Sequence, residues 1–276
     1  MSALRGVPVR EALDSAVVAL SAAGVDTPRL DAEVLLAHAL GVDRARLVLD
    51  RDRPVEGPAV RAFQDAVRRR AVAREPVAYI TGVKGFRRLD LHVDGRVLIP
   101  RPETETLVEA AVEALPDGAR VVDVGTGSGA VALAVKDERP DLDVAGTDRS
   151  ADALAVARAN AARLGLDVAF VEGDLLAGLE ADAVVSNPPY VEDSATLQPE
   201  IARHEPPVAL YAGPEGLTVI RRLVAQVAAS AARFVALEVG FGQAGEVGDV
   251  LRDAGFAEVS ARRDLAGIER VVVGRR

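Results

Sequence analysis

The sequence predicts an α/β fold, a doubly wound and mostly parallel sheet preceded by a small helical domain. Three observations predict it. From residue 118 onward, short apolar runs alternate with longer helix-like stretches, the signature of βαβ units. One of these runs passes directly into Gly125-Thr126-Gly127-Ser128-Gly129, a glycine loop that opens a helix. The first 75 residues carry helical rather than alternating periodicity.

Taken in order, Leu13, Val17, Val18 and Leu20 mark one amphipathic helix. Ala32, Leu35, Leu36, Ala39 and Leu40 mark a second, ended by Gly41, and Val60, Phe63, Val67 and Val72 a third. Residues 1–75 therefore read as a small helical domain, for substrate recognition or for packing. Residues 76–99 read as a β-hairpin linker, with strands at 77–82 and 89–93 and turns near Gly85 and Gly95. Residues 100–276 form the third region, with strands expected at 121–124, 144–147, 168–171, 183–185 and 234–239. Helices are expected at 129–138, 150–164, 216–231 and 243–254. The last two runs, 257–259 and 270–273, have no helix between them, so a terminal hairpin should put one antiparallel strand into the sheet.

Composition removes several function classes. There is no cysteine among the 276 residues, so disulfides, thiolate metal sites and Cys nucleophiles are absent. His38, His92 and His204 are scattered without metal-ligand spacing, and no metal is expected. No apolar run is long enough to span a bilayer, and residues 1–5 lack a signal-peptide core, so a soluble cytoplasmic protein is expected. The net charge of −9 argues against duplex nucleic acid as a partner. Arg68-Arg69-Arg70 with Arg74 reads as a solvated helix face.

The glycine loop follows Val121-Val122-Asp123-Val124 with Gly-x-Gly-x-Gly spacing, not the Gly-x-Gly-x-x-Gly of dinucleotide folds. Asp148 ends the next strand, 19 residues after Gly129, where a carboxylate can accept both hydroxyls of a ribose. Asp174, after the third strand, is placed for an adenine edge. Acidic residues at successive strand ends suit an adenosine ligand. The glycine spacing favours S-adenosylmethionine over NAD, on a Rossmann-like sheet. The candidate cofactor residues are Asp123, Gly125, Thr126, Gly127, Ser128, Gly129, Asp148, Asp174, Leu175 and Asn187.

Asn187-Pro188-Pro189-Tyr190 follows the apolar run Ala183-Val184-Val185. Neither proline can donate to a sheet ladder, so the strand ends there. The Asn187 side-chain oxygen and the Pro188 carbonyl can each accept one N–H of a planar –NH2 group. Tyr190 can pack on the attached π-system. A proline turn capped by Asn is the simpler alternative.

Together these residues closely resemble the bacterial release factor glutamine methyltransferases, the PrmC or HemK family. Tyr79 to Gly82 with Phe86 resembles the linker, and Val97 to Glu105 (with Arg101-Pro102-Glu103-Thr104-Glu105) the segment ahead of the catalytic domain. Asp123 to Gly129 is similar to the cofactor loop and Asn187 to Tyr190 to the catalytic tetrad. His204-Glu205-Pro206, Gly213 to Gly216, Leu237 to Gly240 with Gln243, and Asp264 to Gly267 extend the likeness through the C-terminal part. Leu175 departs from it, since family members often carry an aromatic there.

The resemblance implies methyl transfer from S-adenosylmethionine to the side-chain nitrogen (N5) of the glutamine in the Gly-Gly-Gln loop of peptide chain release factors, leaving S-adenosylhomocysteine. The catalytic residues would be Asn187, Pro188, Pro189 and Tyr190, with Arg101 and Glu103 joining them in binding substrate. The transfer is expected to be direct and in line, with the amide held by Asn187 and the Pro188 carbonyl. Pro102, Glu103 and Glu105 also suit a helix start. Arg101 has two open roles, a contact to the cofactor carboxylate or a brace for the tetrad loop. Glu205 reads as support for a loop around the substrate. Glu238 reads as structural, and Phe86 and Tyr79 as core. Direct nucleic-acid or membrane binding is not expected, and a monomer is. The alternatives are a ribosomal-protein glutamine methyltransferase, a nucleic-acid adenine amino-methyltransferase and a non-catalytic adenosine-ligand module.

Overall fold

The structure, a computed structural model, describes residues 6–176 and 178–276; the N-terminal stretch examined for a signal peptide, residues 1–5, lies outside them. Two compact units emerge, Met1–Gly82 with Gln198–His204, and Val83–Leu197 with Glu205–Arg276.

The first unit is helical. A short antiparallel pair, β1 (Val7–Pro8) with β2 (Pro54–Val55), brackets α1 (Val9–Ala22), α2 (Pro28–Leu40) and α3 (Arg46–Leu49), and α4 (Pro58–Arg68) follows. Proline opens α2 and α4, where its missing N–H costs nothing. Gly41 ends α2 in the left-handed conformation. Leu13, Leu20, Leu35, Leu36 and Phe63 fill the core. After Arg68 the helix widens into a π-turn, Arg69–Ala73. That extra residue per turn rotates the helical face, so Val72 is 75 % exposed although its spacing placed it with Phe63 and Val67. The arginine run is a solvated face only in part: Arg68 is exposed, but Arg70 and Arg74 turn inward. Arg70 is buried, its Nε donating to Asp31 Oδ2 at 2.7 Å and its Nη1 to Glu200 Oε1 at 2.9 Å.

Residues 77–82 are not a strand. Val77–Thr81 form α5, held by N–H bonds from Tyr79 and Ile80 to the Pro76 carbonyl. Pro76 and left-handed Gly82 bracket it as helix boundaries, and these caps override the β-branched and aromatic composition between them. The hairpin lies later, β3 (Val83–Phe86) against β4 (Leu89–His92). Its turn falls at Arg87, in the left-handed region at φ 52, not at a glycine.

The second unit continues with α6 (Glu105–Ala114), β5 (Arg120–Val124), α7 (Ala130–Glu138), β6 (Asp143–Asp148), α8 (Ala151–Leu164), β7 (Ala169–Glu172) and β8 (Ala183–Ser186). After α9 (Pro199–His204), which belongs to the first unit, come α10 (Thr218–Ala228), β9 (Phe234–Glu238), α11 (Ala244–Asp253), β10 (Glu258–Arg263) and β11 (Glu269–Arg275). The seven strands stand in the order β10-β11-β9-β8-β5-β6-β7. Neighbours from β9 to β7 are parallel, while β11 runs antiparallel to both β9 and β10, as the helix-free terminal connection predicts. Every residue of β8 and β9 is buried, because helices cover both faces of the sheet. One face packs on Leu107, Leu133 and Leu154, with the hairpin's Phe86 and Leu91 in the same core. The other packs on Ile220, Leu223, Val247 and Leu251. Phe86 is thus a core residue; Tyr79 is half-buried.

Candidate active site

β5 has β6 on one side and β8 on the other, so successive crossovers leave it in opposite directions. At such a switch point the loops at the strand ends diverge and open a crevice. A cavity of about 1000 Å³, solvent at its mouth included, lies there. Gly125 and Gly127 line it after β5, Asp148 after β6, Asp174 and Leu175 after β7, and Asn187, Pro188 and Pro189 after β8.

The glycine loop is held from behind. Asp123 Oδ2 accepts the Thr126 hydroxyl at 2.7 Å and the Ala132 N–H at 3.1 Å. Burial pushes the Asp123 carboxyl up to about 7. Asp123, Thr126, Ser128 and Gly129 are all buried and none lines the cavity, so they build the loop rather than face a ligand. A Cβ on Gly129 would stand 3.0 Å from Leu133 and 3.3 Å from Phe170, at φ 83. At Gly125 and Gly127 a Cβ would meet nothing within 4 Å, but both hold positive φ. Their bare backbone is the part of the loop that a ligand can approach. Asp148 Oδ2 accepts the Gly127 N–H at 3.0 Å, and Oδ1 the Ser150 N–H at 2.9 Å. Each oxygen keeps a lone pair for a hydroxyl. Asp174 is exposed and ion-paired with Arg222. Leu175 lies in the left-handed region at φ 56, where its carbonyl accepts the Thr147 hydroxyl at 2.6 Å.

The tetrad divides in two. Asn187, Pro188 and Pro189 form cavity wall. Tyr190 does not line the cavity: its hydroxyl donates to Glu238 Oε1 at 3.2 Å, and its ring packs in the core beneath Gly240. Burial, then the adjacent Glu238 charge, hold that hydroxyl well above the ordinary phenol range. Asn187 Nδ2 donates to Thr104 Oγ1 at 3.1 Å, which leaves Oδ1 for an incoming donor.

Arg101 pairs with Glu205, which is 3 % exposed and also accepts the Ile99 N–H at 3.2 Å. The partner Arg101 has is Glu205, ahead of Pro206, rather than a residue of the tetrad, so neither of its two open roles is seen directly. Glu103 is exposed, and neither it nor Arg101 lines the cavity. Sequence reasoning missed Thr104, although it lies inside the flagged Arg101–Glu105 segment. It also missed Val97 and Leu98 in the preceding segment, and Val208 and Tyr211 in the loop after His204, all cavity-lining. Arg222, on α10, carried no signal. Among the described residues no cluster of His, Asp and Glu could hold a metal, and no helix is long and apolar enough to cross a membrane.

Residues 11–82 match the PrmC N-terminal domain and residues 102–205 the methyltransferase small domain. The release factor glutamine methyltransferase of Deinococcus radiodurans is 45 % identical, over 97 % of this chain and 98 % of that protein. The protein of the same name from Mycolicibacterium smegmatis is 43 % identical, over 97 % of this chain and 98 % of its own. A methyltransferase structure from Pyrococcus furiosus is 17 % identical with a TM-score of 0.52, covering 68 % of this chain and 88 % of that one, a likeness of fold. Matched in both its helical and its sheet-forming parts, and closely similar to these relatives from end to end, the chain belongs to the release factor glutamine methyltransferase family.

Proposed function

We propose that the protein transfers a methyl group from S-adenosylmethionine to the side-chain amide nitrogen of the glutamine in the Gly-Gly-Gln loop of peptide chain release factors. One observation carries this reading. Asn187 offers the cavity a carboxamide whose amino end is already engaged by Thr104, so its oxygen is the free end. A free acceptor beside a proline carbonyl suits a primary amide, which presents two N–H donors in one plane.

The residues present fit the proposed donor. Gly125 and Gly127 give close backbone approach, Asp148 supplies carboxylate acceptors for ribose hydroxyls, and Leu175 gives an apolar surface for a base. When bound, S-adenosylmethionine supplies an electrophilic methyl on a sulfonium. The chain's own part is orientation. Asn187 Oδ1 and the Pro188 carbonyl would accept the two amide protons and fix the plane of the substrate, and Pro188 and Pro189 would shape the wall beside it. Those acceptors also polarise the N–H groups as positive charge develops on nitrogen. Tyr190 holds the turn in place rather than stacking on the amide. Arg101, through Glu205, braces the segment that leads to Pro206.

The protein is proposed to work in the cytoplasm as a monomer, with release factors as its macromolecular partners and no nucleic acid or membrane bound directly. The test is transfer of labelled methyl to a purified bacterial release factor, with the Gly-Gly-Gln glutamine replaced by alanine as control. Label located on that glutamine by mass spectrometry, and absent from the control, is the expected result. Label on DNA or on a ribosomal protein instead would overturn the substrate assignment.

A further inference from the structure

The loops at the carboxyl ends of the parallel strands form one rim, and the cavity takes only half of it. From β8 through β5 and β6 to β7, the strand ends line the cavity with Asn187 and its prolines, the glycine loop, Asp148 and Asp174. β9 is parallel to β8, and β10, two antiparallel steps further, runs the same way. The turns after β9 and β10 therefore continue the rim on the other side of the tetrad. Each presents one large apolar side chain to solvent. Phe241 is 82 % exposed and Leu265 fully so, more than any other large apolar side chain among the described residues. Neither lines the cavity.

Both turns are pinned by hydrogen bonds. After β9, the Gln243 N–H donates to the Gly240 carbonyl at 3.2 Å, and Gln243 Oε1 accepts the Gly240 N–H at 2.8 Å. Gln243 Nε2 donates to the Tyr190 carbonyl at 3.2 Å, which joins this turn to the tetrad. After β10, Asp264 Oδ1 accepts the N–H groups of Ala266 at 2.9 Å and Ile268 at 3.0 Å. Arg270 links the two turns: its Nε donates to Asp264 Oδ2 at 3.3 Å and its Nη1 to the Val239 carbonyl at 3.2 Å. Two ladder steps, about 10 Å, separate the strands that carry them. One exposed apolar side chain is ordinary on any surface. Here an aromatic and an aliphatic side chain stand on linked, preorganised turns beside the candidate site, and the core gains nothing from either. That is the composition of a binding hot spot.

We propose that Phe241 and Leu265 form the apolar anchor on which a release factor docks the domain that carries its Gly-Gly-Gln loop. This anchor rests on the functional reading above, and it adds the surface that recognises the protein around the glutamine. The occupant follows from the layout of the rim. The donor would fill the half over β5, β6 and β7, and the amide clamp at the end of β8 stands at the boundary. A glutamine borne on a protein loop reaches Asn187 only if the surface flanking that loop passes over the half left free. Phe241 and Leu265 meet it there, and the bond from Gln243 to Tyr190 fixes the distance between anchor and clamp. The partner surface that fits is an apolar one beside the loop, buried against the ring and the leucine.

The experiment compares wild type, Phe241→Ala, Leu265→Ala, Phe241→Leu and the double alanine variant, each as the full chain. Titration calorimetry with S-adenosylhomocysteine present gives the Kd for a purified release factor, and transfer of labelled methyl gives kcat and KM. Each alanine variant should weaken Kd and raise KM by about tenfold, and the pair by about 100-fold. The Kd for S-adenosylhomocysteine and kcat at saturating release factor should stay within about threefold of wild type. Melting temperature should not change, because both side chains are exposed. Phe241→Leu keeps an apolar anchor and should recover most of the affinity that Phe241→Ala loses. Variants that bind the release factor as wild type does, a loss in kcat instead of KM, or a loss of thermal stability that tracks the lost affinity would each overturn the anchor. So would a wild-type dimer that Phe241→Ala or Leu265→Ala dissociates, which gives the patch to a second copy of the chain. A wild type that labels no glutamine overturns the functional reading and the anchor with it, whereas an active wild type matched by the double variant overturns the anchor alone.

Discussion

Asp123 and Glu238 end, or nearly end, two central strands of the same sheet, and burial raises both carboxyls to about 7. Their partners differ. Asp123 Oδ2 takes two donors from its own loop, a hydroxyl three residues on and an N–H nine residues on. Glu238 Oε1 takes one donor from a distant segment, the Tyr190 hydroxyl, and its Oε2 has no hydrogen-bond partner among the described residues. The lesson is that equal burial and equal titration do not mean equal roles. Asp123 closes a local turn and makes the cradle. Glu238 ties the tetrad turn, through Tyr190, to the end of β9, 48 residues away in sequence.

If that contrast is right, substitutions in the tetrad turn that Glu238 holds should act on turnover, and those around Asp123 on stability and cofactor affinity. The largest effect belongs to Asn187, which lines the cavity. Asn187→Ala should lose about 10³-fold in kcat, roughly 4 kcal/mol of transition-state stabilisation, with cofactor Kd little changed. Single-turnover transfer of labelled methyl measures this, and retained turnover would remove Asn187 from the mechanism.

The next effect is on Asp123. Asp123→Ala leaves the Thr126 hydroxyl and the Ala132 N–H buried without their acceptor. Two orphaned groups should cost about 3 kcal/mol in unfolding free energy, read by urea denaturation. Cofactor affinity should fall with it, since the same loop carries Gly125 and Gly127. A variant that instead lost kcat at saturating cofactor and kept its stability would erase the contrast.

The pH dependence of stability comes third. A carboxyl raised from an ordinary 4.5 to about 7 stabilises the fold fully below 4.5, and that contribution is lost as pH rises through about 7. Above 7 the fold carries a buried charge that Gln at this position lacks. Glu238→Gln should therefore gain on wild type by about 2–3 kcal/mol between pH 4.5 and pH 8. Urea midpoints at the two pH values check it.

How much of this could be read in the sequence follows from the range of each interaction. The sheet was legible because β5 to β9 are continuous apolar runs separated by helical periods, and the terminal antiparallel strand because no helix joins β10 to β11. α5 was not, since Val77, Tyr79 and Ile80 suit a strand and only Pro76 and Gly82 act against it. The same limit applies at the site. Asp148, Asn187 and the glycines announce themselves by local spacing, and all but the buried Gly129 reach the cavity. Thr104 sits 83 residues from Asn187, and Tyr190 48 from Glu238, so no local pattern links them. Glu238, alone on a strand end, read as structural because its partners come from other parts of the chain.

The smallest expected effect tests the two readings of Glu103. As a substrate-binding residue, Glu103 should change the release-factor KM when neutralised. As placed here it is exposed, does not line the cavity, and acts on Glu238 only through its charge, opposing ionisation. Glu103→Gln removes a negative neighbour, so the Glu238 carboxyl should ionise more easily. The pH at which Glu238→Gln begins to gain stability on wild type should then move down at low salt, with KM unchanged. Because the interaction passes through solvent, ~1 M salt, with a Debye length of about 3 Å, should abolish the shift. A KM change that survives high salt would return Glu103 to the substrate, and a stability midpoint that never moves would show that Glu103 does not act on the Glu238 carboxyl.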